Sequence, residues 1–149
     1  MYVNSSTQSP TVAVIGGGSA GSTIAIRLAM AGIHVHLIEK NASLINAPPM
    51  CHLHAGGNLY REISDEDCRM LMRQCIDIAK LYPESIDVRP TLITVPKRDN
   101  STATDLLPRL DMLTAYYQSL VDADPSNQVL GKVQDYYRVY DQQQIQQLV

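Results

Sequence analysis

The first 40 residues consist of two short apolar runs separated by one amphipathic stretch. Residues 11–15 and 34–39 are rich in β-branched and aliphatic side chains, which indicates β-strands. Between them, apolar residues recur at helical spacing, at Ala20, Ile24, Leu28 and Ala31. Gly32 follows at the position where glycine commonly ends a helix, so a helix is expected over residues 19–31. The pattern predicts a βαβ unit whose parallel strands are apolar enough to be buried on both faces.

The pattern beyond residue 40 is irregular until a helix begins near residue 64. Residues 40–63 show little periodicity, which predicts a long loop. Ser64 precedes three acidic residues, a typical helix start, and Pro83 ends that helix. Cys68 and Cys75 lie on its apolar face, too far apart along the axis for a disulfide, so both are expected in the core.

The remaining residues predict one more strand and two helices. The strand is expected over residues 91–95 and an amphipathic helix over residues 106–121. Asp141 is expected to cap a final helix over residues 142–149. Because two parallel strands alone leave open edges and an uncovered face, the sheet is expected to be incomplete. We therefore expect the chain to be the N-terminal portion of a longer protein, with further strands supplied beyond Val149.

A glycine-rich turn with the spacing Gly16-x-Gly18-x-x-Gly21 joins the first strand to the first helix. Gly16 permits the sharp turn, Gly18 lets a pyrophosphate approach the backbone, and Gly21 lets the helix pack closely on the strands. The free amides and the positive dipole at the helix start favour a diphosphate. Glu39, eighteen residues after Gly21, ends the next strand, where a carboxylate can accept hydrogen bonds from an adenosine ribose and repel a 2′-phosphate. These features together predict a dinucleotide-binding site.

The same region resembles a known class of enzymes. Residues 12–39 resemble the N-terminal ADP-binding unit of FAD-dependent oxidoreductases, and residues 50–60, MCHLHAGGNLY, resemble the segment beneath the flavin in the D-amino-acid-oxidase-like superfamily. That superfamily includes glycerol-3-phosphate dehydrogenases, 2-hydroxyglutarate oxidases and malate:quinone oxidoreductases. The resemblance implies FAD as cofactor and hydride transfer from a small hydroxy acid or amine to the flavin. It further implies that the electrons pass to quinone or oxygen.

Motif and resemblance together give a fold class, a domain division and a set of site residues. The fold class is α/β, with a Rossmann-like FAD-binding βαβ unit followed by the start of an α+β substrate domain. Residues 1–10 are expected to be a loose N-terminus, residues 11–85 the N-terminal part of the FAD-binding domain, and residues 86–149 the start of a truncated substrate domain. The expected cofactor-binding residues are Gly16, Gly18, Ser19, Ala20, Gly21, Glu39, Lys40, Met50, Cys51 and His52.

Few residues are candidates for the chemical step or for metal binding. His54 lies in the segment that resembles the one beneath the flavin, and there it could accept a proton from a hydroxy acid as hydride leaves. The favoured role of His54, however, is a hydrogen bond that fixes the loop. Cys51 could attach the flavin covalently, although an ordinary loop residue is favoured. His34 and His36 alternate on one strand face, and with no third ligand evident they are expected to be structural and not a metal site.

Composition narrows the function classes. Hydrophobic residues make up 45% of the chain and charged residues 18%, which excludes an intrinsically disordered protein. The net charge of −3 disfavours nucleic-acid binding, and three cysteines without a CxxC pair disfavour a disulfide framework or a zinc site. No apolar run is long enough for a transmembrane helix, and the N-terminus lacks a signal-peptide pattern. A cytoplasmic location is expected, with peripheral association at the inner face of a membrane left open.

Two alternatives to a flavin enzyme remain at this point. FAD and NAD present the same ADP half, so the spacing of the motif is also compatible with an NAD-linked dehydrogenase. A non-catalytic dinucleotide-binding module is the alternative from outside the enzymes.

Overall fold

The computed structural model describes residues 10–44, 62–86, 91–96 and 98–147. The chain divides into two compact units, Met1–His52 and Leu53–Val149. The predicted division into a cofactor domain and a substrate domain at residue 85 is a functional one and stays a prediction.

The first unit is a βαβ unit, as the sequence predicts. Strand β1 (Thr11–Ile15) leads into helix α1 (Ser19–Met30), which is followed by strand β2 (His34–Ile38). The strands pair in parallel, in a register that sets Thr11 opposite His34 and Ile15 opposite Ile38. Gly32 ends the helix with φ +79°, in the left-handed region, which is why a glycine is needed there. The α/β, Rossmann-like start of the fold is therefore confirmed.

The sheet of this unit is covered on one face in the described residues. Val14 faces α1, because its Cγ1 lies 3.5 Å from the position of a Cβ built on Gly21. On the opposite face Ile15 is 85% exposed and Ile38 is 53% exposed. The ring centroids of His34 and His36, which alternate along β2, lie 5.2 Å apart. Residues 10–44 include a single helix for two sheet faces, so one face is exposed, as is expected of two parallel strands alone.

The second unit is built around two long helices. Helix α2 (Asp65–Leu81) begins at Ser64, whose Oγ accepts the Asp67 amide at 3.0 Å while the Asp67 carboxylate accepts from Ser64 in return. Helix α3 (Leu107–Ala123) packs against α2. The buried cluster between them takes three residues from each helix: Cys68, Met72, Ile76, Leu113, Tyr117 and Leu120. The predicted cap at Ser64 is confirmed, and so is the core position of Cys68.

The two cysteines of α2 are not joined by a disulfide bond. Cys68 is fully buried and Cys75 is partly buried. Burial raises the pKa of both thiols, so both stay neutral and act as small apolar side chains. The prediction that they form no disulfide is confirmed.

Polar contacts connect each end of α2 to α3 or to the turn that follows α3. Near the start of α2, the Arg109 guanidinium contacts the Asp65 carboxylate at 3.1 Å and donates to the Ile63 carbonyl at 3.0 Å. Near its end, Lys80 Nζ donates to Ser126 Oγ at 2.7 Å and to Asn127 Oδ1 at 3.1 Å. Contacts of this kind, at exposed and part-buried positions, fix the alignment of the two helices more than they add stability.

Short elements complete the second unit. Turns of 3-10 helix lie at Pro83–Ser85, Ala103–Leu106, Pro125–Asn127 and Val133–Asp135. Helix α4 (Gln142–Gln146) begins at Asp141, whose carboxylate accepts the Gln144 amide at 2.8 Å, as the sequence predicts. No helix in the described ranges is both long and apolar enough to span a bilayer. The cytoplasmic location stays a prediction.

The predicted third strand is absent. Residues 91–96 have no regular secondary structure, and Leu92 is 67% exposed. A β-branched run favours an extended backbone, but a strand also needs a hydrogen-bonded neighbour. None of the described residues supplies one here.

Tyr117 offers a direct test of the buried cluster between α2 and α3. Its buried hydroxyl accepts the Leu130 amide at 3.0 Å and donates to the Gly131 carbonyl at 2.9 Å. We expect Tyr117→Phe to lower the free energy of unfolding by about 1–3 kcal/mol, because it leaves both backbone groups without this partner. Urea unfolding followed by circular dichroism measures the change. Tyr116→Phe is the matched control, since no described residue is hydrogen-bonded to that hydroxyl, and an equal loss in both variants would contradict the assignment.

Candidate functional site

The glycine turn between β1 and α1 has the tight geometry that the motif predicts. Gly16 has φ +98°, in the left-handed region, and its amide donates to the Ile38 carbonyl at 2.7 Å. This bond extends the pairing of the two strands by one residue. A Cβ on Gly21 would overlap the Gly16 carbonyl oxygen, so the helix packs on the turn with no room for a side chain. Gly16 and Gly21 are therefore required by the backbone itself.

Gly18 occupies a different environment from the other two glycines. It precedes α1 with φ −65° and ψ −178°, a conformation open to any residue. A Cβ on it would meet nothing within 4 Å among the described atoms. The described residues therefore do not require glycine at this position, and the space next to the turn is where the motif places a pyrophosphate.

The start of α1 is open to an anion. Among the described residues no side chain caps it, and its first turn contains no acidic residue. Helix α2, by contrast, has the Ser64 cap and three acidic residues in its first turn. The hydroxyls of Ser22 and Thr23 donate to the carbonyls of Gly18 and Ser19, so they do not compete for the amides of the first turn. The positive end of the α1 dipole is thus left for a ligand, and Ser19 and Ala20 are exposed beside it.

Glu39 is held at the end of β2 by backbone amides. Its Oε2 accepts the Gly17 amide at 2.7 Å and its Oε1 accepts the Asn41 amide at 2.9 Å. The Gly17 amide first, and then the Asn41 amide, lower the pKa of this carboxyl below its ordinary value. Glu39 is therefore ionised at neutral pH. Each of its oxygens has a further lone pair with which to accept a ribose hydroxyl.

Gly17, Asn41 and Leu44 belong to this arrangement, although the sequence analysis did not select them. Gly17 is buried and donates the hydrogen bond that links the turn to Glu39. The run of three glycines, Gly16 to Gly18, was the available signal, because the motif itself requires only the first and third of them. Asn41 and Leu44 had no such signal, since their contacts depend on how the chain turns after β2.

The other predicted site residues are not brought together in the same way. Lys40 follows Glu39 and is exposed. Met50, Cys51, His52 and His54 lie outside the described residues, and their roles stay predictions. Within residues 10–44, 62–86, 91–96 and 98–147, no group of three or more His, Cys, Asp or Glu side chains could hold a metal ion.

The described residues fit the ADP half of a dinucleotide. The open helix start and the space beside Gly18 suit a diphosphate, and the ionised Glu39 suits a ribose. Both features follow the carboxyl ends of neighbouring parallel strands, which is where open α/β sheets bind their ligands. The first unit therefore has donors suited to a diphosphate and an acceptor suited to a ribose at neighbouring strand ends.

Comparison with known proteins agrees with this geometry. Residues 11–85 match the family model described as glucose inhibited division protein A. The matched segment includes the glycine turn and Glu39 in the first unit and α2 in the second. The family binds FAD, which confirms the predicted cofactor and, more broadly, an FAD-binding oxidoreductase. The match does not extend to the D-amino-acid-oxidase-like superfamily. No curated protein and no solved structure matches the chain significantly.

Gly18 and Gly21 should respond differently to substitution. Gly18→Val is expected to abolish FAD binding while changing the free energy of unfolding by less than about 1 kcal/mol, because the side chain would enter the free space beside the turn. Gly21→Ala is expected to lower the free energy of unfolding by about 1–3 kcal/mol, because its methyl group would overlap the Gly16 carbonyl. Urea unfolding and a flavin-fluorescence titration measure the two effects. Wild-type FAD affinity in Gly18→Val would show that no diphosphate lies at this turn.

The role of Glu39 can be tested with paired ligands. We expect Glu39→Ala to weaken ADP binding by about 1.5–3 kcal/mol, the typical value of hydrogen bonds to a charged group. Wild-type protein should bind 2′-deoxy-ADP more weakly than ADP, and Glu39→Ala should bind the two about equally. Calorimetric titration measures all four affinities. If the variant still discriminates between the ligands as wild type does, the ribose is bound elsewhere.

Proposed function

This chain belongs to the glucose inhibited division protein A family, and from that premise we propose that it transfers hydride from a small hydroxy acid or amine to FAD. The broad class, an FAD-binding oxidoreductase, follows from the family. The donor is proposed from the resemblance of residues 50–60 to the flavin-facing segment of D-amino-acid-oxidase-like enzymes. Quinone or oxygen is the proposed electron acceptor on the same basis.

One arrangement carries the proposal. The uncapped start of α1 and the ionised Glu39 lie at the same end of the β1–β2 pair, joined by the hydrogen bond between Gly17 and Glu39. An ADP group supplies the two matching parts, a diphosphate for the helix start and a ribose for the carboxylate.

The role of the described residues is to bind and orient the cofactor. FAD, when bound, supplies the hydride-accepting ring. The amides at the start of α1 would hold the diphosphate and Glu39 would hold the ribose, which would fix the adenosine end of the cofactor. The charge of Glu39 also opposes a 2′-phosphate, which disfavours NADP as a competing ligand. His54 is the candidate to accept a proton from a hydroxy acid donor, with a loop-fixing hydrogen bond as its favoured role.

Anaerobic reduction of the bound flavin tests the proposed reaction. The full chain, loaded with FAD, is mixed with a panel of 2-hydroxy acids and primary amines while its visible flavin absorption is followed. At least one member should bleach the flavin, and quinone or oxygen should restore the colour. Gly18→Val is the control, because it should not retain FAD. Bound FAD that no panel member reduces would contradict the proposed donors and favour a non-catalytic binding module, and selective binding of NAD would favour an NAD-linked dehydrogenase.

A further inference from the structure

The segment after β2 turns back onto the glycine turn. Gly17 is buried, and a Cβ built on it would overlap Leu44 Cδ2. The same Cβ would lie 3.2 Å from Glu39 Cβ and 3.3 Å from Glu39 Oε2. Leu44 and Glu39 together therefore occupy the space in which a side chain at position 17 would stand.

Leu44 contacts the turn at the point where the Gly17 amide meets the Glu39 carboxylate. That hydrogen bond is 2.7 Å long, and Glu39 receives a second one from Asn41 in the intervening segment. The carboxylate is thus fixed by one amide before it in the sequence and one after it. Leu44 Cδ2 therefore lies beside the residue that donates the first of these two bonds.

Leu44 is only half-buried. It is 54% exposed, so its contribution to the buried core of the first unit is small. Its Cδ2 lies where a side chain of residue 17 would stand, and Gly17 leaves that space open. A half-exposed leucine in this position is well placed to act on the turn.

We propose that Leu44 is a positioning residue for the cofactor, because its contact with Gly17 holds the Gly17 amide and the Glu39 carboxylate in the geometry that binds the adenosine ribose. The proposal rests on the proposed role of Glu39 in ADP binding. It goes further in assigning a residue outside the glycine motif to the recognition of the cofactor.

Affinity is the first measurement. The full-length chain is titrated with ADP and with FAD as wild type, Leu44→Ala and Ile24→Ala. Ile24 is the matched control, since it is 53% exposed and lies on α1. We expect Leu44→Ala to raise the dissociation constants of ADP and of FAD on the order of tenfold, which is the effect of losing one well-placed interaction. Ile24→Ala should bind both as wild type does.

The pH dependence of ADP binding distinguishes positioning from a general loss of structure. The groups acting on Glu39 are the amides of Gly17, Lys40 and Asn41 and the Asn41 side chain, and Lys40 is the neighbouring cation in the sequence. Since the Gly17 amide lowers the pKa of Glu39, the ionised form and its ribose contacts are present above that pKa and are lost as the pH falls through it. In Leu44→Ala the pKa should rise, so ADP binding should be lost at a higher pH than in wild type. Ile24→Ala should leave this midpoint unchanged.

A double-mutant cycle tests the contact itself. Gly17→Ala should displace the Leu44 side chain and weaken ADP binding. If both substitutions act through the same contact, the double variant should bind ADP no more weakly than the single variant that has the lower ADP affinity. Independent, multiplicative losses would overturn the proposal.

The outcomes separate this inference from the proposed function. Wild-type protein that binds neither ADP nor FAD would overturn both. Wild-type binding with the expected loss in Glu39→Ala, together with a Leu44→Ala variant equal to Ile24→Ala in affinity and pH midpoint, would overturn the Leu44 assignment alone. A selective affinity loss with the midpoint moved to higher pH supports it.

Discussion

The hydrogen bond from the Gly17 amide to the Glu39 carboxylate is the interaction on which the candidate site depends. The bond measures 2.7 Å from the Gly17 nitrogen to Glu39 Oε2. It joins the turn after β1 to the residue after β2, and so connects two segments that are distant in sequence. The close contact of Gly21 with the Gly16 carbonyl fixes the start of α1 against the same turn. As a result, a helix start that suits a diphosphate and a carboxylate that suits a ribose have a defined separation before any ligand binds. Preformed geometry of this kind lowers the ordering cost of binding.

Helices α1 and α2 differ in the negative charge that the chain places at their N-termini. Helix α2 neutralises its own N-terminus with Ser64 and with the acidic residues of its first turn, including Asp67. Helix α1 has neither a capping side chain nor an acidic first turn. Capping α1 internally would stabilise the unit but would also occupy the amides needed for a diphosphate. The contrast fits a helix whose anionic partner is the cofactor.

Features set by neighbouring residues could be predicted from the sequence, and features set by distant contacts could not. The βαβ unit, the caps at Ser64 and Asp141 and the helix end at Gly32 depend on spacing and local backbone preference, and all are present. The strand expected over residues 91–95 is absent because a strand needs a partner, which propensity does not supply. At the site, Gly16, Gly21 and Glu39 follow from the motif, whereas the contact of Leu44 with Gly17 arises only when the segment after β2 turns back.

The central claim is that the start of α1 and the end of β2 together bind the ADP half of FAD. Amide chemical-shift mapping by ¹H–¹⁵N NMR, during titration of the full chain with FAD, tests it most directly. The account predicts that the amides of Gly17 to Gly21 and of Asn41 shift most and saturate together, while those at the start of α2, after Ser64, do not. Saturable FAD binding that leaves the amides of the glycine turn unchanged would contradict it.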